Sequence, residues 1–280
     1  MRVRIAHSPD ADDAFMFYAL TAGKIDTEGL KIEHILADIQ TLNEEAMKGT
    51  YEVSAISIHA YPYVADKYLL LPSGGSVGEG YGPLVVSKEP LESLKGKRVA
   101  VPGRLTTAYL VLKLYEPEFE EVVMPFDRVL DAVENKEVEA GLVIHEGQLS
   151  YTDRGLHKVV DLGQWWQKEY ALPLPLGGNV IRKDLGPETI RKIERLMRES
   201  IKYALEHKEE ALEFAKSYAR EISQDMQKTE RFVSMYVNSR TLDYGEDGRH
   251  AIRLLLKLGR ERGIIKTDIP HIIFSDEVIS

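Results

Sequence analysis

The chain has 280 residues, no cysteine, and 36 Lys and Arg against 45 Asp and Glu, for a formal net charge of −9. The missing cysteine excludes disulfides, thiolate nucleophiles, iron–sulfur clusters and Cys-ligated zinc. The acidic balance argues against a nucleic-acid surface, which is normally basic, and no apolar run reaches the roughly 18 residues that a membrane span needs.

The elements can be read in chain order. Met1-Arg2-Val3-Arg4-Ile5-Ala6-His7 alternates as a strand from the outset, with Val3–Ala6 at its centre. No basic segment, apolar stretch and small-residue cleavage site stand before it, so the expected compartment is cytoplasmic. Phe15, Met16, Ala19 and Leu20 give Asp12–Ala22 the spacing of a buried helix, stopped by Gly23. A strand over Leu30–Leu36 leads to Asp38, which can cap a helix running to Lys48 and ended by Gly49. Val53–Ser57 is a strand and His59–Asp66 a short helix. A glycine-rich stretch over 73–82 then feeds a strand at Pro83–Ser87.

A second α/β unit follows. It predicts strands at Arg98–Val101, Glu121–Met124 and Val138–Ile144, with helices at Ala108–Tyr115 and Phe126–Asn135 between them. His157–Asp161 and Val180–Lys183 read as further strands. Beyond Pro187, Ile190, Ile193, Met197, Ile201, Ala204 and Leu205 keep helical spacing, and helical pattern continues over Asp225–Arg240 and Glu246–Gly263. Alternating strands and helices mean an α/β fold with mostly parallel strands. The expectation is two lobes around a ligand cleft with a helical C-terminal region. Residues 1–88 plus 179–280 form the larger lobe and 89–178 the smaller, split near Glu89-Pro90 and rejoined near Gly177-Gly178.

Common catalytic signatures are absent. There is no P-loop, HExxH or GxSxG, and the glycines at 74, 75, 78, 80 and 82 precede a strand and do not spell GxGxxG. Asp10, Asp12 and Asp13 admit a hard-metal site or, more simply, a negatively charged helix start. No metal is expected.

Three segments lie past strand ends, where open α/β sheets bind ligands. They are Ser8–Asp13, Pro102–Ala108 and His145-Glu146. The second offers helix N–H groups and the Thr106 and Thr107 hydroxyls to a carboxylate, although an ordinary capped helix would look the same. His145, after the apolar run Ala140–Ile144, is either a general base or a structural imidazole bonded to main chain. His7 and His59 also follow strands. Trp165, Trp166, Tyr170, Tyr61, Tyr63 and Tyr81 are either an aromatic wall or packing between lobes.

Across nearly its whole length the sequence resembles the 1,4-dihydroxy-6-naphthoate synthases of the futalosine route to menaquinone. The resemblance rests on Phe17-Tyr18-Ala19-Leu20, Thr41-Leu42-Asn43, Ser73-Gly74-Gly75 and Gly82-Pro83-Leu84-Val85-Val86. It continues through Arg98–Arg104, Thr106–Tyr109, Val138–Glu146, Val160–Gly163 and Leu172–Gly177. It implies a type II periplasmic-binding-protein-like fold used inside the cell as a cofactor-free lyase. That lyase would convert cyclic dehypoxanthine futalosine to 1,4-dihydroxy-6-naphthoate. The small carboxylated substrate is the partner implied; no nucleic acid or membrane is, and no oligomeric state is set.

The family's base matches His145. Its substrate contacts match Ser54, Ala55, Ile56 and Ser57 at the third strand, together with Asn43, Thr106 and Thr107, and Asp12 lies at the same cleft. The sequence departs from the family where Ser-Pro-Cys-Pro-Asn-Asp becomes Ser8-Pro9-Asp10-Ala11-Asp12-Asp13, and where a lysine becomes Ala55. These changes add negative charge, expected at the cleft mouth. The rival reading is a solute-binding protein that captures a small carboxylated ligand without turning it over.

Overall fold

The computed structural model describes residues 1–218, 225–271 and 273–279. Its first unit contains β1 (Arg2–His7), α1 (Ala11–Met16), α2 (Tyr18–Thr21), β2 (Lys31–Leu36), α3 (Ile39–Lys48), β3 (Val53–Ser57), α4 (Tyr61–Val64), β4 (Tyr68–Leu70) and β5 (Ser76–Gly78). The second contains β6 (Leu84–Ser87), β7 (Arg98–Val101), α5 (Thr107–Tyr115), β8 (Glu120–Val123), α6 (Val129–Glu134), β9 (Ala140–Val143), α7 (Gly147–Ser150), β10 (His157–Asp161) and α8 (Leu162–Tyr170). The chain returns through β11 (Leu174–Arg182) to α9 (Pro187–Glu206), α10 (Lys208–Lys216), α11 (Met226–Tyr236), α12 (Ser239–Leu242) and α13 (Gly245–Glu261).

Local chemistry explains most boundaries. Asp38 Oδ1 accepts from the N–H groups of Gln40 and Thr41 at 3.1 Å, and Gly49 in the left-handed region ends α3. Thr106 Oγ1 accepts from Tyr109 N at 3.2 Å and starts α5. Asp161 Oδ1 accepts from Gly163 N and Gln164 N and starts α8. The helix expected over Asp12–Ala22 is broken at Phe17, whose buried ring stacks on His7 at 4.4 Å between centroids.

The strands form two sheets. The first runs β2-β1-β3-β11-β4, with β5 also on β11; the second runs β10-β6-β9-β7-β8. Pairing is parallel for β1 with β2 and β3, and for β7 with β8 and β9. It is antiparallel wherever β6 or β11 takes part. The sheets are therefore evenly mixed instead of mostly parallel. The two strands at the crossings between sheets enter against the local direction, and no residue pattern within them announces it.

The same pairing shifts the expected lobe boundaries. β6, within the expected 1–88 segment, hydrogen-bonds in the second sheet, and β11, cut by the expected boundary at 178, belongs to the first. Gly177-Gly178 is interior to β11, and a Cβ on Gly178 would stand 2.4 Å from the Tyr244 hydroxyl. The helical region covers the first sheet, with α2 against α9 and α1 against α10 and α11. The expected stripe Ile190, Ile193, Met197, Ile201 and Ala204 is buried there, with Leu205 at its edge.

Candidate active site

A cavity enclosing about 760 Å³, counted to its open mouth, lies where the carboxyl ends of β1, β3, β7 and β9 converge. That is the ligand position expected of open α/β sheets. Its walls include Ser8, Asp12 and Asp13 after β1, Ala55–Ser57 on β3, Thr106–Ala108 after β7, and Ile144, His145 and Gln148 after β9. Leu176–Asn179 of β11 and Phe232 and Tyr236 of α11 complete it.

Of the residues singled out in the sequence, His145, Ala55, Ile56, Ser57, Thr106, Thr107 and Asp12 line this cavity. Asn43 and Ser54 do not. Asn43 is fully buried behind Ser57, donating Nδ2–H to Ser57 Oγ at 3.1 Å and accepting Ser57 N–H at Oδ1 at 2.8 Å. Ser54 points to the other face of β3 and donates to the Ala55 carbonyl. The strand's alternation separates it from Ser57.

The threonine hydroxyls are already engaged. Thr106 Oγ1 donates to Gly103 O at 2.8 Å while capping α5. Thr107 Oγ1 donates to Leu176 O at 2.5 Å and accepts from His59 N at 3.2 Å. What this corner offers a ligand is the N–H groups of Thr107 and Ala108 at the start of α5, since Tyr109 N–H is taken by Thr106.

His145 follows β9 in the left-handed region, at φ 56°, a conformation uncommon for a residue with a Cβ. This bend turns the chain into α7 and brings the His145 ring beside the start of α1. Its Nδ1 forms an ion pair with Asp10 Oδ2 at 2.9 Å, and Phe126 packs on the ring at 4.8 Å between centroids. Asp10 occupies the N-cap position of α1, yet its side chain makes no cap bond. Asp13 instead reaches back, its Oδ2 accepting from Ser8 N at 2.8 Å and Ser8 Oγ at 2.7 Å.

The added carboxylates are thus not at the cleft mouth. Asp10 is buried behind His145, and Asp12 is buried with one oxygen, Oδ1, that has no hydrogen-bond partner. The metal alternative finds no support in this arrangement, since Asp10 and Asp13 are committed to His145 and Ser8.

Crowding sets the proton affinities. Burial first, then the Asp13 and Asp10 carboxylates, push the Asp12 carboxyl well above its ordinary value. Burial raises Asp13 to about 6 against the pull of its two Ser8 bonds. Burial alone would lower His145, but Asp10, with Asp12 and Asp13 beyond it, outweighs that and raises it to about 9. At neutral pH the resting His145 is an imidazolium.

The other candidates are structural. His7 Nδ1 lies 2.9 Å from Ser8 O, and its Nε2 lies 3.1 Å from His34 Nδ1. Since only a proton on Nδ1 suits a carbonyl, His7 Nε2 accepts and His34 Nδ1 donates. His59 Nδ1 faces Thr106 O at 3.2 Å. Trp166 is in the core, donating Nε1–H to Pro173 O, and Tyr61 donates to Ile273 O. The aromatic wall is supplied by Phe232 and Tyr236, which the sequence had shown only as part of the helical pattern over Asp225–Arg240. Sequence reasoning also passed over Gln148, whose Nε2 donates to the Tyr236 hydroxyl at 2.5 Å, and Asn179. Asn179 could have been suspected as a polar residue inside an apolar strand.

Two mixed sheets with a cavity between their strand ends, lined by apolar side chains and a few polar ones, define a protein of the periplasmic-binding-protein-like class. At this level of fold the chain is similar to an alkanesulfonate-binding protein from Xanthomonas axonopodis pv. citri (TM-score 0.70, 12% identity, covering 99% of this chain and 96% of that one). Its residues 3–261 match the family described as Menaquinone biosynthesis, and the chain belongs to that family. It is 44% identical over 262 residues to the 1,4-dihydroxy-6-naphthoate synthase of Thermus thermophilus, covering 94% of this chain and 95% of the relative. To the enzyme of the same name from Streptomyces coelicolor it is 37% identical over 269 residues, covering 94% of each. A crystal structure of a protein from Archaeoglobus fulgidus is 52% identical, with TM-score 0.91, covering 94% of this chain and 98% of that one. Among the described residues, no helix is long and apolar enough to cross a membrane.

Proposed function

We propose that this protein is a carbon–carbon lyase that converts cyclic dehypoxanthine futalosine to 1,4-dihydroxy-6-naphthoate, with His145 as its general base. Family membership and the two similar synthases support the activity. The observation that carries the role of His145 is its pairing with a buried carboxylate at the wall of the cavity. The reading includes a cytoplasmic place of work, supported by relatives named for a biosynthetic step.

In this reading the substrate's ring carboxylate rests on the first-turn N–H groups of α5, near Ser57, where the helix dipole favours negative charge. Asn43 holds Ser57 in place. His145 takes a hydroxyl proton from the sugar-derived part. The oxygen's freed electron pair forms a carbonyl, a carbon–carbon bond breaks in retro-aldol fashion, and its pair passes into the ring system. Aromatisation to the naphthalene diol makes the step downhill. Because the resting imidazole is charged, the base form grows as pH rises toward about 9, and turnover rises with it.

The test is turnover of cyclic dehypoxanthine futalosine by the purified protein, with the naphthoate product followed by mass spectrometry. His145→Asn is the control, because asparagine tolerates the left-handed backbone at this position. We expect product from the wild type and at least a 100-fold loss in the variant, on the order of what a general base supplies. No product from the wild type overturns the activity. An unchanged rate in His145→Asn overturns the base.

A further inference from the structure

We propose that Asp10 is a positioning residue for His145, gripping the Nδ1 edge of the ring so that Nε2 faces the substrate cavity. The inference rests on His145 acting as the base.

Three observations carry it. First, Asp10 stands at the N-cap of α1 with the extended backbone of a capping residue, and aspartate there normally accepts a helix N–H. Here it makes no such bond, and its Oδ2 lies 2.9 Å from His145 Nδ1. The pairing with His145 thus stands in place of a bond that the local sequence would otherwise form.

Second, the ring separates two cavities. His145 and Ile144 line both the main cavity and a smaller one of about 440 Å³, whose walls include Asp10, Phe126, Asp127 and Gly147. Asp10 lines only the smaller. The carboxylate therefore approaches from the side away from the substrate, which leaves Nε2 for the reacting proton. A carboxylate on Nδ1 fixes the tautomer with Nδ1–H and stabilises the imidazolium that forms when Nε2 takes a proton.

Third, Phe126 packs on the ring while the left-handed backbone fixes its root, so the imidazole is held at both ends.

Among the described residues, the titratable groups that act on His145 or line its two cavities are acidic or phenolic. Asp10 lies at the start of α1, with Asp12 and Asp13 on its first turn. Asp127 stands on the turn beside Phe126, Glu146 is the next residue, and Tyr236 faces it across the main cavity. Asp10 is the one in direct contact. Removing its charge should release the proton from His145 more readily.

The experiment uses full-length Asp10→Asn and Asp10→Ser. The His145 ring is titrated by NMR of protein carrying 15N-labelled histidine, and kcat is recorded against pH with cyclic dehypoxanthine futalosine. We expect the His145 midpoint to fall from about 9 to about 6.5 or below. The rising limb of kcat moves acidward by the same amount, about two and a half pH units or more. The plateau of kcat drops severalfold with KM nearly unchanged, because a loosened base is lost from the reaction but not from binding. A His145 titration that does not move in either folded variant overturns the proposal. A titration that moves while the kcat profile stays put overturns the link to turnover and, with it, the base role of His145. The NMR arm needs no turnover, so failure of the proposed activity and failure of the pairing are told apart. The serine variant, smaller and uncharged, covers the case in which Asp10→Asn does not fold.

Discussion

Thr107 Oγ1 donates to the main-chain carbonyl of Leu176 at 2.5 Å, tying the start of α5 to the strand that returns to the first sheet. A register shift in β11 between Pro175 and Gly177 takes Leu176 out of the ladder with β5, and Thr107 meets the carbonyl there. The same hydroxyl accepts the N–H of His59. One side chain of the second unit is thus hydrogen-bonded to two main-chain groups that flank the first sheet.

Thr107→Val keeps the shape but leaves the Leu176 carbonyl and the His59 N–H without this partner. Each buried group so stranded costs about 1–3 kcal/mol. We expect a stability loss in that range or above, read from the midpoint of urea unfolding, and recovery in Thr107→Ser. Equal stability of the valine variant would show that the link between the two units is carried by other contacts.

Asn43→Ala removes both bonds that bracket Ser57 and leaves its N–H buried without this acceptor. A loss of about 1–3 kcal/mol is expected. Because Ser57 lines the cavity and Asn43 does not, the functional effect should fall on KM more than on kcat. Steady-state kinetics on the folded variant decide this, and a fall in kcat at constant KM would be the contrary result.

These assignments show what the sequence could disclose. Caps are local, so Asp38, Thr106 and Asp161 mark their helices within a few residues. His145 was legible because an apolar strand ends beside it. Its partner Asp10 was visible as one of three acidic residues, but the pairing was not, because only the packing of β9 against the start of α1 brings them together. The antiparallel entry of β6 and β11 is a long-range pairing choice, and it moved the lobe boundaries. Asn43 was read as a substrate contact because its type and place fit; burial behind Ser57 shows that it acts at one remove. Phe232 and Tyr236 were hidden for the same reason: helical spacing marks an apolar face without saying what that face covers.

The pair of buried His7 and half-buried His34 makes stability depend on acid. Burial lowers both to about 4, and neighbouring His7 also lowers His34. The unfolded chain takes up these protons near 6.5. Between about 6.5 and 4 it therefore binds more protons than the folded state, so stability falls as pH falls through that window. In His34→Asn the amide can still donate to His7 Nε2, and one titrating group is gone. The slope of unfolding free energy against pH should then decrease by about one proton over this window, measured by urea midpoints at several pH values. An unchanged slope would mean that His34 titrates normally.

Asp12 gives the opposite sign. Its folded-state value is raised by burial and by the Asp13 and Asp10 carboxylates, so the folded protein holds a proton that the unfolded chain has already released. Stability from this group is full below the ordinary carboxylate range of about 4 and declines as pH rises toward the elevated folded value. Asp12→Asn removes the titration while keeping the size of the side chain. Its Oδ1 position has no partner in the wild type, so no hydrogen bond is lost there. We expect the variant to be more stable than wild type at pH 7, because the wild-type carboxyl must there either keep a proton or carry an unfavourable buried charge. The difference should shrink toward zero near pH 4. A stability gain that is the same at both pH values would mean that relief of packing, and not of charge, is responsible. A loss at pH 7 would show that the Asp12 carboxylate is held ionised by a contact stronger than its crowding.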